Sequence, residues 1–372
     1  MTANAALTPS DDALAPLFAP LAIGAIEAPH RVLMAPLTRN RAHGDGAPNE
    51  MAIEYYRQRA GAGLIFTEAT QISPMGKGYL ATPGVHDAKH VDGWRKIVDA
   101  VHDAGGRIVL QLWHGGRISH VSLLPPGERP LAPSAVRAAA QTFGPNGFVD
   151  VSEPRAMSLD DIATTIAEYR TAAENAKAAG FDGVETHAAN GYLIDQFLRD
   201  GSNKRDDDYG GSADNRTRFL REAVGAAVDV FGADRVGVRL SPTGAFNDMS
   251  DSDPASTFAA AVDALNDFGL AYLHMVETFP GEESSADDKR VVADLKKRWK
   301  GAYIANGGFD ATRAAEAIRN GDADAVAFGR PYIANPDLPV RYARGAALNE
   351  PDQDTFYGGG AEGYTDYPFL ED

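Results

Sequence analysis

The sequence predicts an α/β protein, a single (β/α)8 TIM barrel with an N-terminal hairpin cap and inserted lid segments after strands 3 and 4. Three observations predict it. Eight short runs rich in apolar or β-branched residues alternate with helical stretches from about residue 30 to residue 346. Several helical stretches stop at a glycine just ahead of the next strand, at Gly105, Gly180, Gly232, Gly269 and Gly301. Polar side chains recur where the strands end, which is where barrel enzymes build their sites.

The elements follow in order. The start, MTANAALTPSDDALAP, lacks the basic head and apolar core of a signal peptide. Residues 1–15 read as a flexible polar tail and residues 16–372 as one barrel domain. Leu17–Arg31 reads as a hairpin over the mouth opposite the site. The strand candidates are Arg31–Leu37, Leu64–Gln71, Arg107–His114, Phe181–His187, Arg235–Leu240, Ala271–Thr278, Ala302–Gly308 and Ala325–Gly329. Such continuous apolar runs suit strands buried on both faces. Helices are expected over Asp92–Ala104, Leu159–Ala179, Asn215–Phe231, Pro254–Phe268 and Asp310–Asn320. Residues 115–157, rich in Pro and Gly with a strand-like Gly147–Val151, and residues 190–214, polar and ending DDDYGGS, are too long for plain turns and read as the lid. A doubly wound sheet would also use eight strands, but no G-x-G-x-x-G follows the first strand.

Composition narrows the function. The net charge of −17 argues against a nucleic-acid partner and against anionic membrane surfaces. With no cysteine, thiolate catalysis, disulfides and cysteine-held metal clusters are excluded. No apolar run reaches the ~18 residues of a membrane helix. The expectation is a cytoplasmic protein, a monomer or small homo-oligomer, acting on a small molecule, with no metal.

The strand ends carry the chemistry. The glycines Gly307–Gly308 and Gly329, with Arg330, follow strands 7 and 8, the usual phosphate site of barrel enzymes; the plainer reading is two tight turns. Gln111 and Arg239 project from strands 3 and 5. An amide that donates and accepts, with a cation beside it, suits the edge of a flavin pyrimidine ring. The alternative for Arg239 is a buried ion pair with a carboxylate such as Glu68 or Glu277. His187 and Asn190 after strand 4 each offer a donor for one carbonyl or nitro oxygen, and the Tyr192 hydroxyl offers a proton. A ring bonded to backbone and a core aromatic are the structural readings of His187 and Tyr192. Metal binding lacks ligands at the right spacing.

At these residues the chain resembles the old yellow enzyme family, in its bacterial alkene-reductase, N-ethylmaleimide reductase-like branch. The matching segments are MAPLTRNRA, EYYRQRA, GLIFTEATQISPMGKGY, QLWHGGRISH, HAANGYLIDQFLRDGSNKRDDDYGGSADNRTRF, VGVRLSP, AFGRPYIANPDL and YGGGAEGYTDYPFL, from about Leu17 to Leu370. The resemblance implies an FMN-binding barrel using NADPH or NADH to reduce alkenes activated by a carbonyl or nitro group. It implies that Thr38 bonds flavin O4, that Pro36 and Ala69 touch the ring, and that Gln111 and Arg239 hold the pyrimidine edge. Backbone around Gly308 and Gly329, with Arg330, would take the phosphate. His187 and Asn190 would bind the substrate oxygen, Tyr192 would be the proton donor, and Trp113 and Tyr357 would line the substrate pocket. Two positions depart from the branch. Asn190 stands where many bacterial relatives carry a second His, and Asn247 where close relatives often carry Gln. The alternatives are a flavin-binding or sensing protein on this fold, a dienoyl-CoA reductase and a hydroxy-acid oxidase. The second lacks its cysteine-bound cluster here, and the third its His base among arginines.

Overall fold

In the computed structural model, which describes residues 7–279, 281 and 283–371, eight strands close on themselves. They are β1 (Val32–Met34), β2 (Ile65–Phe66), β3 (Ile108–Trp113), β4 (Gly183–His187), β5 (Val236–Leu240), β6 (Tyr272–Val276), β7 (Ala302–Asn306) and β8 (Ala325–Phe328). Each pairs with its neighbour in parallel, β8 with β1, and the β3–β4 pairing shuts the ring. All eight lie inside the expected runs. The helices α1 (Met51–Gln58), α2 (Ala88–Asp103), α3 (Leu159–Ala179), α4 (Arg218–Phe231), α5 (Pro254–Asn266), α6 (Ala286–Arg298) and α7 (Ala311–Arg319) make the crossovers, and α8 (Leu338–Arg344) follows β8. The α3 boundaries match the sequence because both ends are marked. Ser158 and Asp161 form a reciprocal capping box, and Gly180 takes the left-handed conformation.

The two-residue period of the strands sorts their side chains. Val32, Met34, Ile65, Ile108 and Leu110 pack outward with the helices. Leu33, Ala35, Phe66, Val109, Tyr272, Ile304, Ala325 and Ala327 fill the interior. The hairpin Leu21–Ile23/Ile26–Ala28 adds Ile23 and Ile26 to that interior cluster, and the Ala25 amide donates to Asp234 O ahead of β5. It therefore plugs the mouth where the strands begin, as expected. Of the expected tail, residues 1–6 lie outside the described residues. Asp12–Phe18 instead forms a 3-10 turn against α7 and α8, with Leu17 buried.

The lid segments are ordered by hydrogen bonds to the barrel top. Residues 115–157 contain the hairpin Gln141–Gly144/Gly147–Asp150. It is held by Leu80 N to Phe143 O and by the Thr142 hydroxyl to Gly78 O. Residues 190–214 contain a short helix, Leu193–Leu198. The helices α1, α6 and α8 and this one were not among those named from the sequence. They are short or strongly charged, so their apolar faces leave few repeats to read.

Gly237 on β5 has a packing reason to be glycine. A Cβ there would lie 2.0 Å from the Tyr272 ring, which fills the barrel interior beside it. Gly237→Ala should displace that ring and destabilise the protein by about 1–3 kcal/mol. A urea midpoint equal to that of the wild type would show that the interior layer can absorb a methyl group.

Candidate active site

The same period carries the functional residues inward, one layer above the apolar plug. On β3, Gln111 and Trp113 follow Val109 on the inner face. Register places Glu185 of β4 beside Gln111, His187 of β4 beside Arg239 of β5, and Arg239 beside His274 of β6. The Gln111 amide nitrogen donates to Glu185 Oε1 at 2.7 Å, and Glu185 Oε2 accepts from His274 Nδ1 at 2.8 Å. Arg239 Nη2 donates to Asn306 Oδ1 at 2.7 Å, and its Nε is buried without a protein partner. The buried ion pair considered for Arg239 is absent. Glu68 accepts from the Arg39 amide, and Glu277 holds Tyr303 and Lys296. The carboxylate whose field Arg239 feels is Glu185, while burial lowers the guanidinium pKa.

The turn after β4 is held by buried side chains of the helix that follows it. Asp195 accepts from the Gly191 amide at 2.8 Å and from Arg199 Nε at 2.9 Å, and Arg199 also reaches Ser241 O. Gln196 takes the Arg117 amide on its oxygen and gives its nitrogen to Gly191 O and Gly115 O. The ends of β3, β4 and β5 are thus locked together. Within this frame Asn190 sits at φ +59°, a left-handed conformation that asparagine tolerates better than most residues. Its amide donates to Ser241 Oγ, its carbonyl accepts from Asn247 Nδ2, and its side-chain oxygen is buried with no partner.

His187 Nδ1 accepts from the Ala189 amide at 3.4 Å. Burial, and the positive Arg239 beside it, push the ring pKa well below its ordinary value. The neutral ring therefore carries its proton on Nε2, free to donate. Tyr192 packs edge-on against both His187 and Trp113. Its hydroxyl lies 3.0 Å from that of Tyr79, which stacks on Trp113. Burial raises the Tyr192 pKa well above 10, so the phenol keeps its proton. Tyr357 is 64% exposed at the rim, within electrostatic reach of Tyr79 and Tyr192.

On the other side of the mouth, Pro36 and Thr38 are half-buried beyond β1, and Ala69 is buried beyond β2. The Thr38 hydroxyl has no protein partner among the described residues. Gly307 and Gly308 after β7 both have positive φ. A Cβ at Gly307 would lie 2.6 Å from Thr278 O, whereas one at Gly308 would meet only Arg313 Nη1, at 3.9 Å. Arg330, exposed beside Gly329, makes no ion pair among the described residues. Arg313 donates to Gly308 O at 2.6 Å.

Residues 16–349 match the NADH:flavin oxidoreductase / NADH oxidase family. The chain belongs to this family, that of the old yellow enzymes. It is 44% identical, over 94% of its length and 96% of the relative's, to a probable flavin mononucleotide-dependent alkene reductase of Leishmania infantum. The structure of morphinone reductase in complex with tetrahydroNAD superposes with a TM-score of 0.90 at 48% identity, covering 95% of this chain and 98% of that one. The old yellow enzyme homologue from Zymomonas mobilis superposes with a TM-score of 0.92 at 42% identity, covering 95% and 99%.

The open groups of this old yellow enzyme family member fit a flavin. A buried cation with an unpartnered N–H, a free hydroxyl at Thr38 and an unpaired Arg330 beside glycine backbone form a donor-rich set. Such a set suits a phosphate and a ring that gains negative charge. The sequence reading overlooked Glu185, His274, Asn306, Arg313 and Tyr79. Glu185 and His274 left a signal, as polar residues inside the strand runs Phe181–His187 and Ala271–Thr278.

Burial of imidazoles gives the protein an acid limit. Burial lowers His30 to about 4 and His114 to about 3, and His187 lower than its ordinary value as well. In the unfolded chain these rings protonate near pH 6.5. The unfolded state therefore binds more protons between about pH 6.5 and 4, and stability is lost as pH falls through that window. Burial lowers His86 to about 4 and also lowers His90 and His274, which adds to the loss, whereas Glu68, raised by burial to about 7, and the raised Glu168 and His102 act oppositely. Urea midpoints should fall from pH 7 to pH 4.5. A flat profile would mean that these rings titrate freely in the folded state.

Proposed function

We propose that this chain is an FMN-dependent NAD(P)H ene-reductase. It reduces the activated C=C bonds of α,β-unsaturated carbonyl compounds such as enones and maleimides, and accepts nitro-compounds and nitrate esters. The buried cluster at the end of β4 carries this reading. It holds neutral His187 beside cationic Arg239, the Asn190 side-chain amide, which makes no hydrogen bond to the described residues, and the protonated Tyr192 against the His187 ring. FMN, when bound, would supply the hydride chemistry that links NADPH or NADH to the alkene in two separate half-reactions.

The protein's part is position and electrostatics. Backbone at Gly308 and Gly329, with Arg330, holds the phosphate. Pro36 and Ala69 contact the ring, Thr38 donates to O4, and Gln111 and Arg239 hold the pyrimidine edge. Arg239 also balances negative charge that would otherwise sit in a desolvated cavity. His187 Nε2 and the Asn190 amide donate to the substrate oxygen and stabilise the charge that develops there as hydride reaches Cβ. Tyr192 gives its proton to Cα. Trp113 and Tyr357 wall the pocket, the second from the solvent side. Residues 16–372 act as one flavin-binding unit, in the cytoplasm, as a monomer or small homo-oligomer, on small molecules rather than nucleic acid. Among the described residues no helix is long and apolar enough to cross a membrane.

The purified protein should be yellow, release FMN on heating, and turn over 2-cyclohexenone with NADPH or NADH under anaerobic conditions. Released FAD, or a colourless protein that cannot be reconstituted, defeats the proposal.

Two sets of variants assign the roles. Tyr192→Phe should leave reduction by NAD(P)H nearly unchanged and slow the enone half-reaction by ~10²–10⁴-fold. Equal slowing of both half-reactions in stopped flow would make Tyr192 a structural residue. His187→Ala and Asn190→Ala should each weaken binding of a phenol, an enolate mimic, to the oxidised enzyme by roughly 1–3 kcal/mol. Titration of the long-wavelength charge-transfer band measures it, and normal binding in both would place the donors elsewhere.

A further inference from the structure

Glu185 is fully buried in the barrel interior, in the layer between the apolar plug and the mouth. A carboxylate there is costly unless both oxygens are bonded. Both are: Oε1 takes the Gln111 amide nitrogen, and Oε2 takes His274 Nδ1. The mechanism proposed above gives this residue no task.

Its chemistry assigns one. A carboxylate only accepts, whereas the Gln111 amide could present either end to the mouth. Glu185 removes that choice. The amide nitrogen must face Glu185, so the amide oxygen is the end left for a ligand. The bond from His274 Nδ1–H holds the carboxylate in place, and the His274 ring is itself packed on Phe66 with centroids 5.0 Å apart. The flavin pyrimidine edge alternates acceptor, donor, acceptor, and its donor N3–H needs an acceptor such as that oxygen. The charge has a second consequence. Glu185 lies within electrostatic range of Arg239 and offsets part of its positive field.

We propose that Glu185 is a positioning residue that fixes the Gln111 amide with its oxygen toward flavin N3–H, and that its charge restrains how far Arg239 stabilises the reduced flavin. The inference rests on the reading of Gln111 and Arg239 as the flavin's pyrimidine contacts.

The test uses the FMN-loaded enzyme and its Glu185→Gln, Glu185→Asp and Gln111→Leu variants. Three quantities are read, none of them turnover: the FMN dissociation constant, the flavin midpoint potential, and the pH at which N3–H of bound oxidised FMN ionises. Glu185→Gln lets the Gln111 amide take either orientation and removes the charge. FMN should bind about tenfold more weakly, the cost of one hydrogen bond. The potential should rise and N3–H should ionise at lower pH, because both products are anions near Arg239. Glu185→Asp keeps the charge but loses the reach, so affinity should fall with a smaller change in potential. A Glu185→Gln enzyme with wild-type values of all three overturns the proposal. So do equal potential shifts in the Gln and Asp variants, which would indicate a packing defect. Should Glu185→Gln fail to fold, unchanged FMN affinity in Glu185→Asp overturns it equally. Weaker FMN binding in Gln111→Leu with silent Glu185 variants sinks the inference alone. Wild-type binding in Gln111→Leu removes Gln111 from the flavin site and takes the inference with it.

Discussion

The pairing of β3 with β4 closes the barrel, and the register of that closure sets every contact in the site. Val109 faces Gly183 and Gln111 faces Glu185, while one strand further on His187 faces Arg239. Because the strand period is two, a slip of one residue would turn Gln111, Glu185, His187 and Arg239 toward the helices together. The apolar layer below resists such a slip. Leu33, Phe66, Val109, Tyr272 and Ile304 fill the interior on the same parity, and the N-terminal hairpin seals it. The polar layer is therefore placed by the apolar one beneath it.

Above the strands, precision comes from buried hydrogen bonds rather than from packing. Asp195, Gln196 and Arg199 are all buried, and each bonds to backbone or side chains of the loops around it. Removing one partner would leave a buried donor or acceptor orphaned, at about 1–3 kcal/mol each. Such a network is a rigid support for the turn that carries Asn190 and Tyr192. Buried groups without a partner include the Asn190 amide oxygen and Arg239 Nε at the mouth, and others away from it such as Tyr55, Tyr169 and Tyr272.

One physical effect sets the protonation states on the β4 side. Burial disfavours charge, so it lowers the His187 pKa and raises that of Tyr192. Both become neutral hydrogen-bond donors in the same desolvated space. The Asn190 side-chain amide, on the turn beside them, carries no charge at any pH. Arg239 lies beside His187 on the adjacent strand and feels the opposing field of Glu185.

Much of this was legible in the sequence. Eight apolar runs with glycine stops gave the barrel and the strand ends, because burial on both faces leaves a continuous apolar signature that local sequence records. The block His187–Tyr192 and the glycines after strands 7 and 8 were readable as chemistry at strand ends, and the family resemblance assigned their roles. Short or highly charged elements such as α1 and α6 were not, since their helical repeats are too few or too weakly apolar. The tertiary structure alone decided the partners. It gave Arg239 to Asn306 rather than to Glu68 or Glu277, paired Tyr192 with Tyr79 across 113 positions, and joined Gln111, Glu185 and His274 from three strands. Local sequence dictates which face of a strand a residue takes. Which residue meets it across the barrel depends on strand order, register and closure, and those are properties of the assembled ring.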